Sequence, residues 1–463
     1  MNWAEHELSS VDLSDKRLNK RLIRLVTDKL ANPTASIPEA SRSLAASKAA
    51  YRFFSSKHVL PSAIQAAHRD RVLERIRPLA AILVLQDTTE LDYTSHPKTT
   101  DLGYLDHAKR QGLKVHSGLA TTLDGVPLGL LHQEVWTRAH ATKGNKKRNR
   151  PQSEKESQRW LTTLSEVQRL VPDPTQLIVV ADREADIYPL FAAEREPRVD
   201  LVVRATYDRA VVGQDAHLKQ LVAGLPSAGS LRVHIPANGA RAARDAEVTV
   251  SWSSLQIEPP SDYPQRASLK RPRLQVINVQ EREPPDGVKP LHWLLWTTLE
   301  LADWAAVIRV IGYYRTRWLI ERYHYVLKSG CGIEKLQLET KERLERALAV
   351  YSIVAWRLLW LTYQARQEGE RACSEVLAEH EWQALYCTIH RVAEVPAGVA
   401  VPSLRQAVRW IAQLGGFLGR KGDGEPGVQT IWRGLRRLED IVATWVLIRG
   451  VPPQHAAQEL MGN

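Results

Sequence analysis

The chain has 463 residues, of which 44% are hydrophobic and 25% are charged. This balance is that of ordinary globular domains, and it excludes a wholly disordered chain, a collagen-like repeat and a disulfide-stapled miniprotein. Lysine and arginine number 63 against 52 aspartates and glutamates, so the formal net charge is +11. Such an excess favours a polyanionic partner, usually nucleic acid, with a generic basic enzyme as the alternative.

The cysteines and the hydropathy pattern predict an intracellular protein. Cys331, Cys373 and Cys387 form no CxxC pair, which is typical of reduced thiols and indicates no zinc site. The N-terminus lacks the apolar core of a signal peptide, and no apolar run approaches the roughly 20 residues of a membrane span. We therefore expect a cytoplasmic protein that does not contact a membrane.

Residues 1–62 are predicted to form a helical DNA-binding domain. Ser14 is expected to cap a basic helix that starts at Asp15, a second helix is expected to open at Ser36, and a third is expected over 47–54. Short helices with basic and Ser/Ala faces are typical of DNA-binding bundles. A basic helix that is merely solvated is an equally good interpretation.

The middle of the chain predicts a mixed sheet flanked by helices. Apolar runs at 79–85 and 177–181 read as buried strands, and a carboxylate follows each of them, Asp87 and Asp182. Asp124-Gly125 between two further apolar stretches indicates a two-residue hairpin. A carboxylate at a strand end is held rigidly and can grip a divalent ion, although such residues are more often simple caps.

The remaining segments complete the predicted organisation. Residues 143–150 (KGNKKRNR) form a basic loop, residues from about 205 to 298 form a β-rich insertion, and the pattern is helical from Asp303 onward. The predicted domains are therefore 1–62, a mixed α/β core over 63–365 and a helical C-terminal domain over 366–463.

The sharpest chemical pattern lies in 313–330, which reads YYRTRWLIERYHYVLKSG. Tyr314, Arg317, Glu321 and Lys328 are spaced so that an α-helix would present all of them on one stripe. A carboxylate among arginine, lysine and tyrosine suits a metal ligand surrounded by phosphate-binding groups. An exposed helix with ordinary ion pairs is the alternative.

Two aspartates and one glutamate together offer the oxygen ligands that Mg²⁺ or Mn²⁺ prefers. Two such ions can activate a water or a 3′-hydroxyl and stabilise the leaving oxygen of a phosphodiester. Asp87, Asp182 and Glu321 are far apart in the sequence, so only the fold can bring them together.

At these positions the chain resembles the bacterial cut-and-paste DDE transposases of the YREK-signature branch, which have an RNase-H-like core. The matching residues are Asp87 in QDTTELDY, Asp182 in ADREADIY and the Tyr-Arg-Glu-Lys stripe. The segments that also match are GLLHQEVW (129–136), EKES (154–157), PLHWLLWT (290–297) and LGGF (414–417). The resemblance runs from about residue 10 to 445.

The resemblance implies an α/β fold: an RNase-H-like mixed sheet flanked by helices, with a β-rich insertion and with helical N- and C-terminal domains. It further implies that Asp87, Asp182 and Glu321 are the catalytic, metal-binding triad. That triad would hold Mg²⁺ or Mn²⁺, with two ions per active site.

The resemblance also implies a set of DNA-binding residues. Tyr314, Arg317 and Lys328 would hold phosphates at the transposon end, and Trp293 would stack on a flipped base, a contact worth ~1–3 kcal/mol. A core position is the alternative for Trp293. Arg204 matches a basic position near the DNA.

The function implied by the resemblance is cut-and-paste transposition through a hairpin intermediate. A homodimer would act on paired double-stranded transposon ends and join them to target DNA, in the cytoplasm and on the nucleoid. The basic loop at 143–150 stands where a relative has acidic residues, so its role is open. The alternatives are a catalytically silent DNA-binding relic or inhibitor and a metal-dependent nuclease that does not join strands.

Overall fold

The structure is a computed structural model that describes residues 3–107, 109–138, 155–235, 243–263 and 265–449. The predicted basic loop at 143–150 and the first residue of EKES lie outside the described residues. Within those ranges, no helix combines the length and the apolar character that crossing a membrane requires.

The N-terminal segment folds into short helices. The prediction that Ser14 caps the first long helix was wrong, because Ser14 has a left-handed φ of 61° and the carboxylate of Asp15 accepts from the backbone N–H of Arg17 instead. The capping box between Ser36 and Glu39 begins the next helix where it was predicted. The helices are α1 (Trp3–Glu7), α2 (Lys16–Ala31), α3 (Ile37–Ser41), α4 (Leu44–Ser55) and α5 (Pro61–Ile76).

The described strands join into one ten-stranded sheet. They are β1 (Ala81–Asp92), β2 (Gly103–Tyr104), β3 (Gln111–Thr121), β4 (Pro127–Trp136), β5 (Gln176–Ala181), β6 (Val199–Arg204), β7 (Gly229–Ile235), β8 (Arg244–Gln256), β9 (Arg273–Glu281) and β10 (His292–Thr297). Strands β4, β3 and β1 form an antiparallel meander, and β5 and β6 continue it in parallel. This order is that of an RNase-H-like core, so the predicted fold class is confirmed.

The predicted β-rich insertion extends the same sheet. Strand β10 pairs antiparallel with β6, and β9, β8 and β7 follow as an antiparallel meander. Along β7 every second side chain is exposed, which is why the sequence alternates between apolar and polar residues there. The hairpin at Asp124-Gly125 is also present, but Thr122 and Val126 close a three-residue loop rather than the predicted two-residue turn.

Helices cover both faces of the sheet. They are α6 (Gln158–Leu170), α7 (Tyr188–Ala192), α8 (Leu218–Ala223), α9 (Trp304–Thr316), α10 (Trp318–Tyr325), α11 (Lys341–Gln367), α12 (Glu379–His390), α13 (Leu404–Leu414) and α14 (Val428–Arg449). One hydrophobic cluster joins the sheet to α9, α10, α11 and the N-terminal helices, and another joins the opposite face to α6 and α7.

Helix α11 is buried along its middle, since every residue from 347 to 359 is buried. It contains Arg357, whose guanidinium lies 4.6 Å from the ring of Trp3 and 4.0 Å from the ring of Trp360. Burial lowers the pKa of Arg357 to about 9. The aromatic rings therefore compensate a cation that the core would otherwise leave unpaired.

Candidate active site

Asp87 and Asp182 lie on neighbouring parallel strands. In the register of β1 and β5, Gln86 faces Ala181, so the two aspartates occupy the next positions. Asp182 directly follows β5, as predicted. The prediction that Asp87 also follows a strand was wrong, because β3 continues to pair with β1 as far as Asp92. Strand β1 thus outlasts β5, and the two carboxylates lie at the level where β5 ends.

Helix α10 faces Asp87 from above the sheet. Asp87 shares the face of Leu83 and Leu85, whose side chains pack with the helical cluster. The Nδ1 atom of His324 lies 3.6 Å from an Oδ atom of Asp87. Burial raises the pKa of Asp87. The hydrogen bond and charge of His324 and the charge of Arg317 lower this pKa by more than burial raises it, so the net shift is downward.

Sequence reasoning missed His324, although a signal for it existed. It lies three residues after Glu321, a spacing that places both side chains on one face of a helix. The side chain is nearly buried, and within the described part of the chain its Nε2 atom has no hydrogen-bond partner.

Glu321 forms an ion pair with Arg317 one helical turn earlier. Burial raises the pKa of Glu321, Arg317 lowers it, and the negative charges of Asp87 and Asp182 raise it, with a net upward shift. The charges of Asp87 and Asp182 therefore disfavour the ionised form of Glu321, and Arg317 offsets part of that effect.

A fourth carboxylate stands beside this group. The backbone N–H of Glu184 donates to an Oδ atom of Asp182 at 2.8 Å. Burial raises the pKa of Glu184, and the charges of Asp182 and Asp87 raise it too; burial and Asp87 also raise the pKa of Asp182. Glu184 was missed because an acidic residue two positions after a capping aspartate is common in helix first turns.

The Tyr-Arg-Glu-Lys stripe does not lie on one continuous α-helix. Arg317 separates α9 from α10, and Val326–Gly330 forms a π-helical turn, so the prediction of a single α-helical stripe was wrong. Tyr314 is buried at the end of α9. The π-helical turn moves Lys328 out of the α-helical register. In this position the Nζ atom of Lys328 lies 3.9 Å from Glu334.

Trp293 and Arg204 lie on the neighbouring strands β10 and β6. The Trp293 ring is half-buried and meets the ring of Tyr314 edge-on, with 5.5 Å between centroids, whereas Trp296 is fully buried on the other face. Arg204 donates to the backbone carbonyl of His292 at 3.0 Å. The sheet thus brings Trp293 beside the first residue of the stripe.

The chemistry of the donor set fits a divalent cation. Among the residues that the structure describes, no three His, Cys, Asp or Glu side chains lie together in an arrangement that could hold a metal ion as they are placed. The side chains of Asp87, Asp182 and Glu321 nevertheless offer only oxygen donors. The charge of Asp87 raises the pKa of Asp182, and the charges of Asp87 and Asp182 raise the pKa of Glu321. Clustered carboxylates of this kind are what hard cations such as Mg²⁺ prefer.

An RNase-H-like sheet with carboxylates where β5 ends and on the overlying α10 is the arrangement expected of enzymes that act on nucleic-acid phosphodiesters. The family model described as "Transposase DDE domain" matches residues 81–357, and the chain belongs to that family. Models described as "Transposase DNA-binding" and "Transposase Tn5 dimerisation domain" match residues 1–59 and 353–450. These matches identify a DNA transposase with DNA-binding and dimerisation regions.

The chain was also compared with solved structures. It is similar to a piggyBac transposase in a cryo-EM synaptic complex with hairpin DNA, at 10% identity and a TM-score of 0.35. The match covers 98% of this chain and 78% of that chain.

Proposed function

We propose that this transposase performs cut-and-paste transposition as a homodimer and that it belongs to the bacterial YREK branch. The proposal is carried by the adjacency of Asp87 and Asp182 on parallel strands, beneath a helix that bears Glu321. Residues 1–62 would grip the transposon end, 63–365 would cut and join, and 366–463 would pair two copies.

Asp87, Asp182 and Glu321 would hold Mg²⁺ or Mn²⁺, with two ions per active site. Bound ions of this kind lower the pKa of a water or 3′-hydroxyl and offset charge on the leaving oxygen. The charge of Arg317 lowers the pKa of each of these three carboxylates. It would therefore orient a phosphate next to the triad, with Tyr314 and Lys328 on either side of it.

The reaction would proceed by successive in-line displacements. Water attacks a phosphorus at the transposon end, the bond from phosphorus to the 3′-oxygen breaks, and a 3′-hydroxyl is released. That hydroxyl attacks the opposite strand and forms a hairpin, which a second water opens. The regenerated 3′-hydroxyl finally attacks target DNA, so each bond formed replaces one phosphodiester bond.

Trp293 would stabilise the base that leaves the helix when the hairpin forms. Its half-buried ring lies against Tyr314, so it can stack without leaving the sheet. Arg204, on the adjacent strand, would contact the DNA backbone near that base. Stacking of this kind is worth ~1–3 kcal/mol per base.

The decisive experiment incubates the protein and Mg²⁺ with DNA that carries the ends of its native element. We expect an excised double-stranded fragment that forms through a hairpin. Glu321→Gln should lower strand cleavage by roughly a thousandfold, as expected when a group that acts in the transition state is removed. Glu194→Gln is the matched control, because that carboxylate is exposed and, within the described part of the chain, pairs only with Lys270 at 3.5 Å.

Each other outcome assigns a different function. Cutting without a hairpin or a joined product would identify a nuclease, and DNA binding without cutting would identify a silent regulator. Cleavage that survives Glu321→Gln would show that the triad is assigned wrongly.

A further inference from the structure

A row of polar side chains crosses the sheet at the level of Asp87. In the antiparallel register, Asp87 of β1 faces Ser117 of β3, and Ser117 faces Gln133 of β4. The row lies on the face that packs against α10 and α11. It therefore starts at a candidate catalytic carboxylate and ends at a buried amide two strands away.

Gln133 connects this row to two helices. Its Nε2 atom donates to the hydroxyl of Ser117 at 3.1 Å and to that of Tyr323 at 3.2 Å. Its Oε1 atom accepts from the hydroxyl of Ser352 at 2.9 Å. One amide thus joins two strands, α10 and α11.

The network is buried and satisfied. Ser117 and Tyr323 are 0% exposed, and Gln133 is 7% exposed. A buried polar group without a partner costs free energy, whereas an apolar side chain would fill the same space without that risk. Four mutually satisfied groups therefore permit one placement of α10 on the sheet and penalise the others.

That placement matters because α10 carries the residues that meet Asp87. Tyr323 lies two positions after Glu321 and one before His324, whose Nδ1 atom is 3.6 Å from Asp87. A rotation or slide of α10 would change the distance from Glu321 to both aspartates. The contact of Tyr323 with Gln133, like that of His324 with Asp87, is a polar contact that opposes such movement.

We propose that Gln133 is a positioning residue, which acts through Tyr323 to set the distance between Glu321 and the aspartates on the sheet. This inference rests on the proposed function of the triad. It assigns to a residue that touches no reacting atom a role in metal affinity and cleavage rate.

The test uses the full chain with Gln133→Leu, Tyr323→Phe and the double variant. Gln133→Leu should lower the cleavage rate and the affinity for Mn²⁺, measured by titration calorimetry, by about 10–100-fold, the usual effect of a residue that supports a metal ligand. Tyr323→Phe removes one oxygen atom and should act in the same direction. The double variant should have a cleavage rate and a Mn²⁺ affinity no lower than those of Gln133→Leu, because both single changes remove the same contact, between Gln133 and Tyr323.

Thr362→Val is the matched control. Its hydroxyl is also buried on α11 and, among the residues that the structure describes, donates only to the carbonyl of Leu358, at 2.9 Å. This variant should lower the melting temperature without changing Mn²⁺ affinity or the cleavage rate. If Gln133→Leu and Tyr323→Phe behave as Thr362→Val does, the positioning role is wrong.

The experiment distinguishes a failure of the proposed function from a failure of the positioning role. Wild-type protein that binds Mn²⁺ but does not cleave would overturn the transposase reaction, and the Mn²⁺ titration of the variants would still decide the positioning role. End-DNA binding, measured by gel shift, should be equal for all variants; unequal binding would place the defect in folding and overturn the inference.

Discussion

The neighbours of a residue in the site determine how much of its side chain is exposed, and Trp293 is an example. Its edge-on contact with Tyr314 holds the ring while leaving part of it exposed. Strand alternation predicts that Trp293 and Trp296 face opposite sides of the sheet, which the structure confirms, and so the burial of one says nothing about the other. How deeply each ring is buried depends on helices that alternation cannot reveal.

Trp293→Ala should therefore impair one step of the reaction more than the others. We expect hairpin formation to fall about tenfold or more relative to first-strand nicking, since a stacked base is worth ~1–3 kcal/mol. The amount of hairpin formed by Trp293→Phe should lie between the amounts formed by the wild type and by Trp293→Ala. The measurement follows nicked and hairpin products on denaturing gels.

Trp252→Ala is the control for that comparison. Trp252 is also partly buried in the insertion, but its ring lies 6.3 Å from Trp304 rather than beside Tyr314. An equal loss of hairpin in this variant would show that the insertion responds to any lost tryptophan, and Trp293 would have no special role.

Among elements, those with local signals were predictable and those that depend on distant partners were not. The Asp303 cap of α9 and the strand before Asp182 follow from neighbouring residues. The extension of β1 past Asp87 follows from its pairing with β3, which no local pattern encodes. The π-turn after α10 likewise depends on packing, because Trp432 of α14 occupies the space beside Gly330.

Gly330 tests that packing directly. An added Cβ atom would lie 2.8 Å from two atoms of the Trp432 ring, which is rigid and 4% exposed. Gly330→Ala should therefore lower the free energy of unfolding by about 1–3 kcal/mol, the usual cost of overpacking. The measurement is urea unfolding followed by tryptophan fluorescence.

Gly312→Ala is the matched control on α9, where an added Cβ atom would meet nothing within 4 Å. That change should be neutral or stabilise the protein by up to about 1 kcal/mol, because alanine favours a helix over glycine. Equal effects of the two substitutions would contradict the packing of α14 against the π-turn.

At the scale of the whole molecule, a buried charge cluster of Glu7, His68 and Arg75 holds the N-terminal helices against the sheet and acts as a lock between them. A bulge between β3 and β4 frees the N–H of Leu130, which donates to His68 Nε2 at 3.0 Å. Nδ1 of His68 therefore carries the hydrogen and donates to Glu7 at 2.6 Å, and Arg75 also donates to Glu7. The sequence could not predict this lock, because its residues lie on α1, α5 and β4.

This lock predicts how stability depends on pH. Burial raises the pKa of Glu7, but the hydrogen bonds and charges of Arg75 and His68 bring it down to about 2. Burial lowers the pKa of His68 despite Glu7. In both cases the unfolded chain binds protons more readily, so stability falls as the pH falls. The loss should begin below the ordinary pKa of histidine, 6.5, and continue from about 4.5 towards 2 as Glu7 is protonated.

Glu7→Gln should separate this contribution from that of the other carboxylates. At neutral pH the variant should be less stable by roughly 3 kcal/mol, because the pKa of Glu7 falls from 4.5 to about 2 and each unit is worth about 1.4 kcal/mol. Its stability should then fall less steeply than that of the wild type between about pH 4.5 and 2. Urea unfolding at stepped pH measures both slopes, and Glu74→Gln, at an exposed carboxylate on α5, is the control that should follow the wild type. Equal slopes for Glu7→Gln and wild type would mean that Glu7 does not carry the acid lability, and the lock would then owe its strength to packing alone.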